Sequence, residues 1–169
     1  MTPISTNDDS KKMQSDIQRY LAFSLGGEEF AIPLLAVKEV IAKPDYTPIP
    51  HTPTHFLGII NLRGQVISVI DMRTKFGIKA DPAAETAVII CDLNPLSIGI
   101  VVNSVNSVLS LTADKISPPP EIESSKKTDH FIGVAKHENR LVLLLDISKA
   151  LGVEDLRLAT SAGNEKARA

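Results

Sequence analysis

Apolar and polar positions alternate at the start of the patterned region: Leu21, Phe23 and Leu25 run into Gly26-Gly27, and alternation resumes at Phe30, Ile32 and Leu34. Period-two patterning on both sides of a glycine pair predicts a β-hairpin. Beyond Pro33 the spacing changes, and Val37, Val40 and Ile41 fall on one face of a short helix that Pro44 ends. Four prolines between Pro44 and Pro53 predict an extended connector with few ladder bonds. Phe56 to Asp71 then reads as a second hairpin, with Asn61-Leu62-Arg63-Gly64 between two β-branched runs. Asn61 can start a type I turn and Gly64 can take the left-handed position after it, which places Arg63 at the tip. A short helix from Met72 to Phe76 should stop at Gly77.

The second half repeats the first. A shift of 68 lays Phe30-Ala31-Ile32 over Ile98-Gly99-Ile100 and Val37, Val40 and Ile41 over Val105, Val108 and Leu109. A shift of 75 lays Phe56 over Phe131, Gly58 over Gly133 and Asp71-Met72 over Asp146-Ile147. The hairpin tip changes between copies, from Arg63-Gly64 to Glu138-Asn139. Many short strands in a duplicated set of about five predict an all-β fold of two small linked barrels. Continuous apolar runs at Val88 to Ile90 and Leu141 to Leu145 need cover on both faces, and the neighbouring barrel is the natural cover. A shared aliphatic core would let each barrel persist at a size where an isolated domain is marginal. Ser117-Pro118-Pro119-Pro120 to Thr128 is a polar, proline-rich excursion before the last hairpin, and a helix from about Ile147 to Leu158 closes the body. Residues 1–16 and 160–169 are polar enough to read as flexible tails around a body at 17–159.

Length and composition narrow the function classes. With 169 residues, one ordinary domain or two small fused ones fit. Apolar residues make up 43%, yet there are five Phe, two Tyr and no Trp, so the core must be aliphatic. Eighteen basic against twenty acidic side chains, with neither sign in a long block, disfavour general nucleic-acid binding. The lone Cys91 cannot form an internal disulfide, and no stretch reads as a signal peptide or membrane span, which predicts a cytoplasmic protein without direct membrane insertion.

Chemistry-bearing motifs are sparse. His51 and His55 in HTPTH have a ligand-like spacing, but the prolines forbid a helix and nothing completes a four-ligand metal set, so they read as loop histidines. Cys91 lies in an apolar run and reads as an inert buried thiol. No nucleophile-elbow, phosphate-loop or dinucleotide motif occurs, and the expectation is a non-enzyme with no catalytic residues, metal or cofactor. Glu39, interrupting the apolar face of the short helix, and Arg63, at the tip of the second hairpin, leave two readings open from pattern alone. They are either separate solvated charges or an ion pair fixing the helix against the hairpin at an interaction surface.

Three blocks in order, FSLGGEEFAIPLLAVKEVI, GIINLRGQVISVIDMRTKFG and IGIVVNSVNSVLSL, resemble the CheW-type coupling proteins of bacterial chemotaxis over about Arg19 to Leu158. The resemblance implies two linked five-stranded SH3-like barrels and an adaptor without an active site. It implies bridging between the cytoplasmic tip of methyl-accepting chemoreceptors and the regulatory domain of the CheA histidine kinase, in receptor arrays. Carried over by position, it implies receptor contacts at Val37, Glu39, Gly58, Arg63, Val105 and Val108, with Asn61, Leu62, Arg63 and Gly64 as the family's hairpin. It implies kinase contacts at Val88, on a strand that forms part of the kinase-facing edge, and at Ile122. Ser117 and Pro120 stand where some relatives carry a basic and an aromatic residue. A coupling protein of a parallel pathway, serving twitching motility or second-messenger control, is the alternative of the same class. A β-barrel that binds nucleic acid is the alternative of another class, and it needs exposed aromatics in a basic groove.

Overall fold

The structure, a computed structural model, describes residues 17–79, 86–94, 96–119 and 130–167. Eleven strands are formed among them: β1 (Gln18–Leu25), β2 (Glu28–Pro33), β3 (Val37–Ala42), β4 (Phe56–Leu62), β5 (Gln65–Asp71), β6 (Ala87–Asp92), β7 (Ser97–Val102), β8 (Ser104–Leu111), β9 (Ile116–Ser117), β10 (Phe131–His137) and β11 (Arg140–Leu145). Helix α1 (Met72–Lys75) follows β5 and helix α2 (Ile147–Ala167) follows β11. The Asp71 carboxylate caps α1, accepting the Arg73 amide at 2.9 Å.

Two sheets of SH3-like barrel architecture result, one in the order β8-β1-β2-β11-β10-β9 and the other β3-β6-β7-β5-β4. The halves of the chain exchange strands. The second sheet joins β3, β4 and β5 of the first repeat to β6 and β7 of the second, through antiparallel pairing of β3 with β6 and parallel pairing of β5 with β7. Its counterpart joins β1 and β2 to β8 through β11, with β2 parallel to β11. The repeat extends to irregularities: register shifts fall between Val37 and Glu39, between Phe56 and Gly58, and between Phe131 and Gly133, the last two at matching places. Gly58 and Gly133 are both overlaid by a crossing backbone carbonyl, that of Thr47 or Ser117.

Three cores hold this arrangement. One barrel is filled by Tyr20, Ala22, Ala31, Leu109, Leu111 and Leu144, and the other by Ile60, Ile67, Val69, Val88, Ile90 and Val101. The third lies between them and includes Phe23, Ile32, Ile70, Ile89, Cys91, Ile98, Ile100 and Leu145. Alternation explains the division: on β6, Val88 and Ile90 face the barrel interior while Ile89 and Cys91 face the shared core. A short aromatic column crosses that core from Phe23 through Phe30 to Phe76, at centroid spacings of 6.2 and 5.9 Å.

Several expectations need correction. The segment after Pro33 makes one 3-10 turn, Leu34–Ala36, and then strand β3 instead of a helix. A helix this short has too few internal bonds to persist, whereas three β-branched side chains gain the open edge of β6. The bulge between Val37 and Glu39 lets Val37 pack on the shared core, leaves Ile41 on the barrel interior, and turns Val40 outward at 42% exposure. The NLRG turn is of type I′ instead of type I: Leu62 pairs with Gln65, and both Arg63 (φ 52) and Gly64 (φ 85) are left-handed. A two-residue loop of that hand matches the right-handed twist of its strands. Leu141 is 66% exposed, so the apolar run of β11 is not covered along its whole length. Helix α2 continues to Ala167 and breaks at Gly152 (φ 77, ψ 172), past which its axis turns. Residues 1–16 and Ile122 lie outside the described residues.

Candidate functional site

Strands β3 and β4 are the two ends of one sheet, and the sheet curls until they meet. Arg63, at the turn after β4, reaches back to Glu39 on β3. Its Nη1 donates to Glu39 Oε2 at 3.1 Å, and its Nη2 contacts both carboxylate oxygens. The sequence left solvated charges and an ion pair open, and the structure brings the two together. The turn is fixed from inside, because the Gly64 amide donates to Asn61 Oδ1 at 2.9 Å. A Cβ at Gly64 would meet nothing within 4 Å, so the glycine is there for its φ and not for space. Leu62 completes the hairpin by turning inward to the barrel core.

The pair sits at the barrel mouth, beside a cavity of about 200 Å³ lined by Lys38, Glu39, Leu62, Arg63, Gln65 and Ile67, among others. Arg63 is 69% exposed at its side chain and Glu39 29%. A planar, permanently charged fork is thus held in one direction while most of it faces solvent, which suits an anchor for another polypeptide. The repeat-related positions are Ser107 and Glu138, so this device belongs to one barrel alone.

The other predicted receptor residues separate. Val37 and Val105 are half-buried and pack against the shared core from repeat-related strands. Val108 is 49% exposed, and Leu35, just ahead of β3, is 98% exposed. Gly58 presents no groove surface: it is buried at φ 144, and a Cβ there would lie 2.3 Å from the Thr47 carbonyl oxygen. Thr47 clips that strand through two backbone bonds of 2.9 Å to Ile59. Val88 is fully buried on β6, which lies between β3 and β7.

Burial without a charged neighbour pushes the Cys91 thiol up to about 12. It points into the shared core and makes only a weak 3.8 Å contact with the Ile89 carbonyl, so it carries no nucleophile at ordinary pH. Among the described residues no three His, Cys, Asp or Glu side chains group as metal ligands. Also among them, no helix is long and apolar enough to cross a membrane. His55, read from sequence as a loop residue, lies in the turn before β4 and is engaged 100 positions away: its Nε2 donates to Asp155 Oδ1 at 2.6 Å. No local signal links residues so far apart.

Comparison with known proteins agrees with this architecture. The CheW-like domain family matches residues 19–155. The chain is 38% identical to the chemotaxis protein CheW of Klebsiella aerogenes over 144 residues, covering 83% of this chain and 86% of that one. It is 31% identical to a probable chemotaxis protein CheW of Rhizobium etli, over 81% of this chain and 89% of that protein. The crystal structure of the scaffolding protein TtCheW from Thermoanaerobacter tengcongensis superposes with a TM-score of 0.73 at 29% identity, over 82% of this chain and 90% of that one. With the double barrel, the exchanged strands and the NLRG hairpin in place, the chain belongs to the CheW-like domain family of chemotaxis adaptors.

Proposed function

We propose that the protein is a non-enzymatic scaffold that couples the cytoplasmic tip of methyl-accepting chemoreceptors to the regulatory domain of a CheA-type histidine kinase, within cytoplasmic receptor arrays. The observation that carries this reading is the bidentate Arg63–Glu39 contact, which fixes a largely exposed arginine at the mouth of one barrel and has no counterpart in the other. Receptor contact is assigned to Arg63 and Glu39 together with the apolar side chains Val37, Val105 and Val108. A helical receptor tip would lay an apolar stripe against such valines. Gly58 acts by shaping β4, and Val88 by packing the interior of the same barrel.

Kinase contact is assigned to barrel-to-barrel packing, with the Ile122 region as one part of it. Individually modest contacts made simultaneously would give an assembly its strength. The mechanism is positional: the adaptor holds receptor and kinase in one geometry, so a receptor movement changes the kinase's domain arrangement without chemistry in the adaptor. Burial of Phe23, Phe30 and Phe56 disfavours a nucleic-acid module, which needs exposed rings. Co-sedimentation with receptor tips and kinase, each alone and then together, tests the reading. Capture of both partners in one complex is expected, and failure to pellet with either would overturn it.

A further inference from the structure

A second ion-pair cluster lies on the barrel that carries Arg63, and the coupling surface does not use it directly. Asp155 is 1% exposed and makes two side-chain contacts, a hydrogen bond with His55 Nε2 at 2.6 Å and an ion pair with Lys75 Nζ. Lys75 also donates to the Leu151 carbonyl at 3.1 Å, at the end of the helical turn just before the Gly152 break. That break redirects α2, which springs from β11 of one barrel, across β5 of the other. A carboxylate buried this completely is tolerated only when paired, and losing a partner leaves an uncompensated charge.

The cluster is placed to matter for the groove. His55 immediately precedes β4, and Arg63 immediately follows it, so one edge strand is tied at its start by Asp155 and at its tip by Glu39. Ala150, Leu151 and Ala159 of α2 belong to the shared core on which Val37 and Val105 rest. Internal symmetry sharpens the case. His130 is the counterpart of His55, and the backbone contact below each is the same: Asp71 N donates to His55 O at 2.8 Å and Asp146 N to His130 O at 2.9 Å. The counterpart of Lys75, however, is Ala150. The lysine contact to the carboxylate therefore has no repeat-related lysine opposite it, and it lies on the barrel with the Arg63–Glu39 seam.

We propose that Asp155 is a positioning residue for receptor coupling. Through His55 and Lys75 it clamps α2 onto the Arg63 barrel and sets the mutual placement of the two barrels, and with it the spacing of the valines between them. This rests on the coupling function proposed above. The test compares full-length Asp155→Asn, His55→Gln and Lys75→Gln with the unaltered chain, measuring affinity for a receptor-tip fragment, affinity for the kinase regulatory domain, and amide exchange in α2 beyond Gly152.

Asp155→Asn should weaken receptor-tip binding at least about fivefold, the low end of coupling between sites, while kinase binding stays within about twofold. Exchange in α2 beyond Gly152 should quicken. His55→Gln and Lys75→Gln, which leave the buried carboxylate short of a partner, should each shift receptor binding and exchange in the same direction and add little in the Asp155→Asn background, and they carry the test if Asp155→Asn fails to fold. Unchanged receptor affinity with quickened exchange, or equal weakening toward both partners, would overturn the proposal. An unaltered chain that binds neither partner would overturn the coupling function first, before any variant is compared.

Discussion

Arg63 and Glu39 join the last and first strands of a curled sheet, closing one barrel by a side-chain fork at the place where no backbone ladder does so. Because Arg63 is mostly exposed, the contact contributes less than about 1 kcal/mol to folding. Its value is directional. Arg63→Ala should therefore leave thermal stability nearly unchanged while lowering receptor-stimulated kinase activity about tenfold or more, the scale of truncating an anchoring interface arginine. Kinase binding should fall much less. A reconstituted phosphorylation assay with full activation by this variant would remove Arg63 from the site.

Gly58 and Gly64 predict different costs for the same substitution. At Gly58 an added Cβ strikes the Thr47 carbonyl at 2.3 Å and φ is 144, so both space and backbone are violated. At Gly64 the space is open and only φ, at 85, is unfavourable. Gly58→Ala should destabilise by about 2–4 kcal/mol and Gly64→Ala by about 1–2 kcal/mol. Urea unfolding midpoints in the reverse order would contradict the crossing of Thr47 over β4.

Val88 and Val108 separate packing from contact. Val88 is fully buried, so Val88→Ala should cost about 1–3 kcal/mol through lost transfer energy and a cavity. Val108, at 49% exposure, should cost less than about 0.5 kcal/mol on truncation yet weaken receptor binding. Denaturation and receptor co-sedimentation on both variants distinguish the two outcomes.

Cys91 gives a pH signature. Its folded thiol is raised from an ordinary 9.0 to about 12, so the unfolded chain ionises first as pH rises. The stabilisation from keeping this thiol neutral is complete below pH 9 and is lost as pH climbs toward 12. Cys91→Ser should flatten that alkaline decline. In the native protein at pH 8, thiol-directed alkylation should proceed only as fast as the core opens, and prompt stoichiometric labelling would show that Cys91 is accessible.

The sequence by itself determined the elements and the repeat, because both rest on local chemistry. Alternation at Leu21, Phe23 and Leu25 and at Phe56 to Asp71 marked hairpins, and equal offsets across the halves marked two similar units. It misread Val37–Ala42, where a helical spacing and a strand spacing share the same valines and only the open edge of β6 decides between them. The turn hand at Arg63-Gly64 followed from strand twist, a property of the paired hairpin and not of its four residues.

Tertiary structure alone decided which strands each barrel owns. Local patterning makes β3 equally fit for either sheet, and the exchange that seats it on β6 is settled by filling three cores at once. The ion pairs follow from that choice. Glu39 meets Arg63 because the curl of the sheet brings β3 and β4 together, and Asp155 meets His55 because α2 turns at Gly152 across the other barrel. Such contacts couple residues 24 and 100 positions apart, a distance over which side-chain chemistry leaves no trace in a linear pattern.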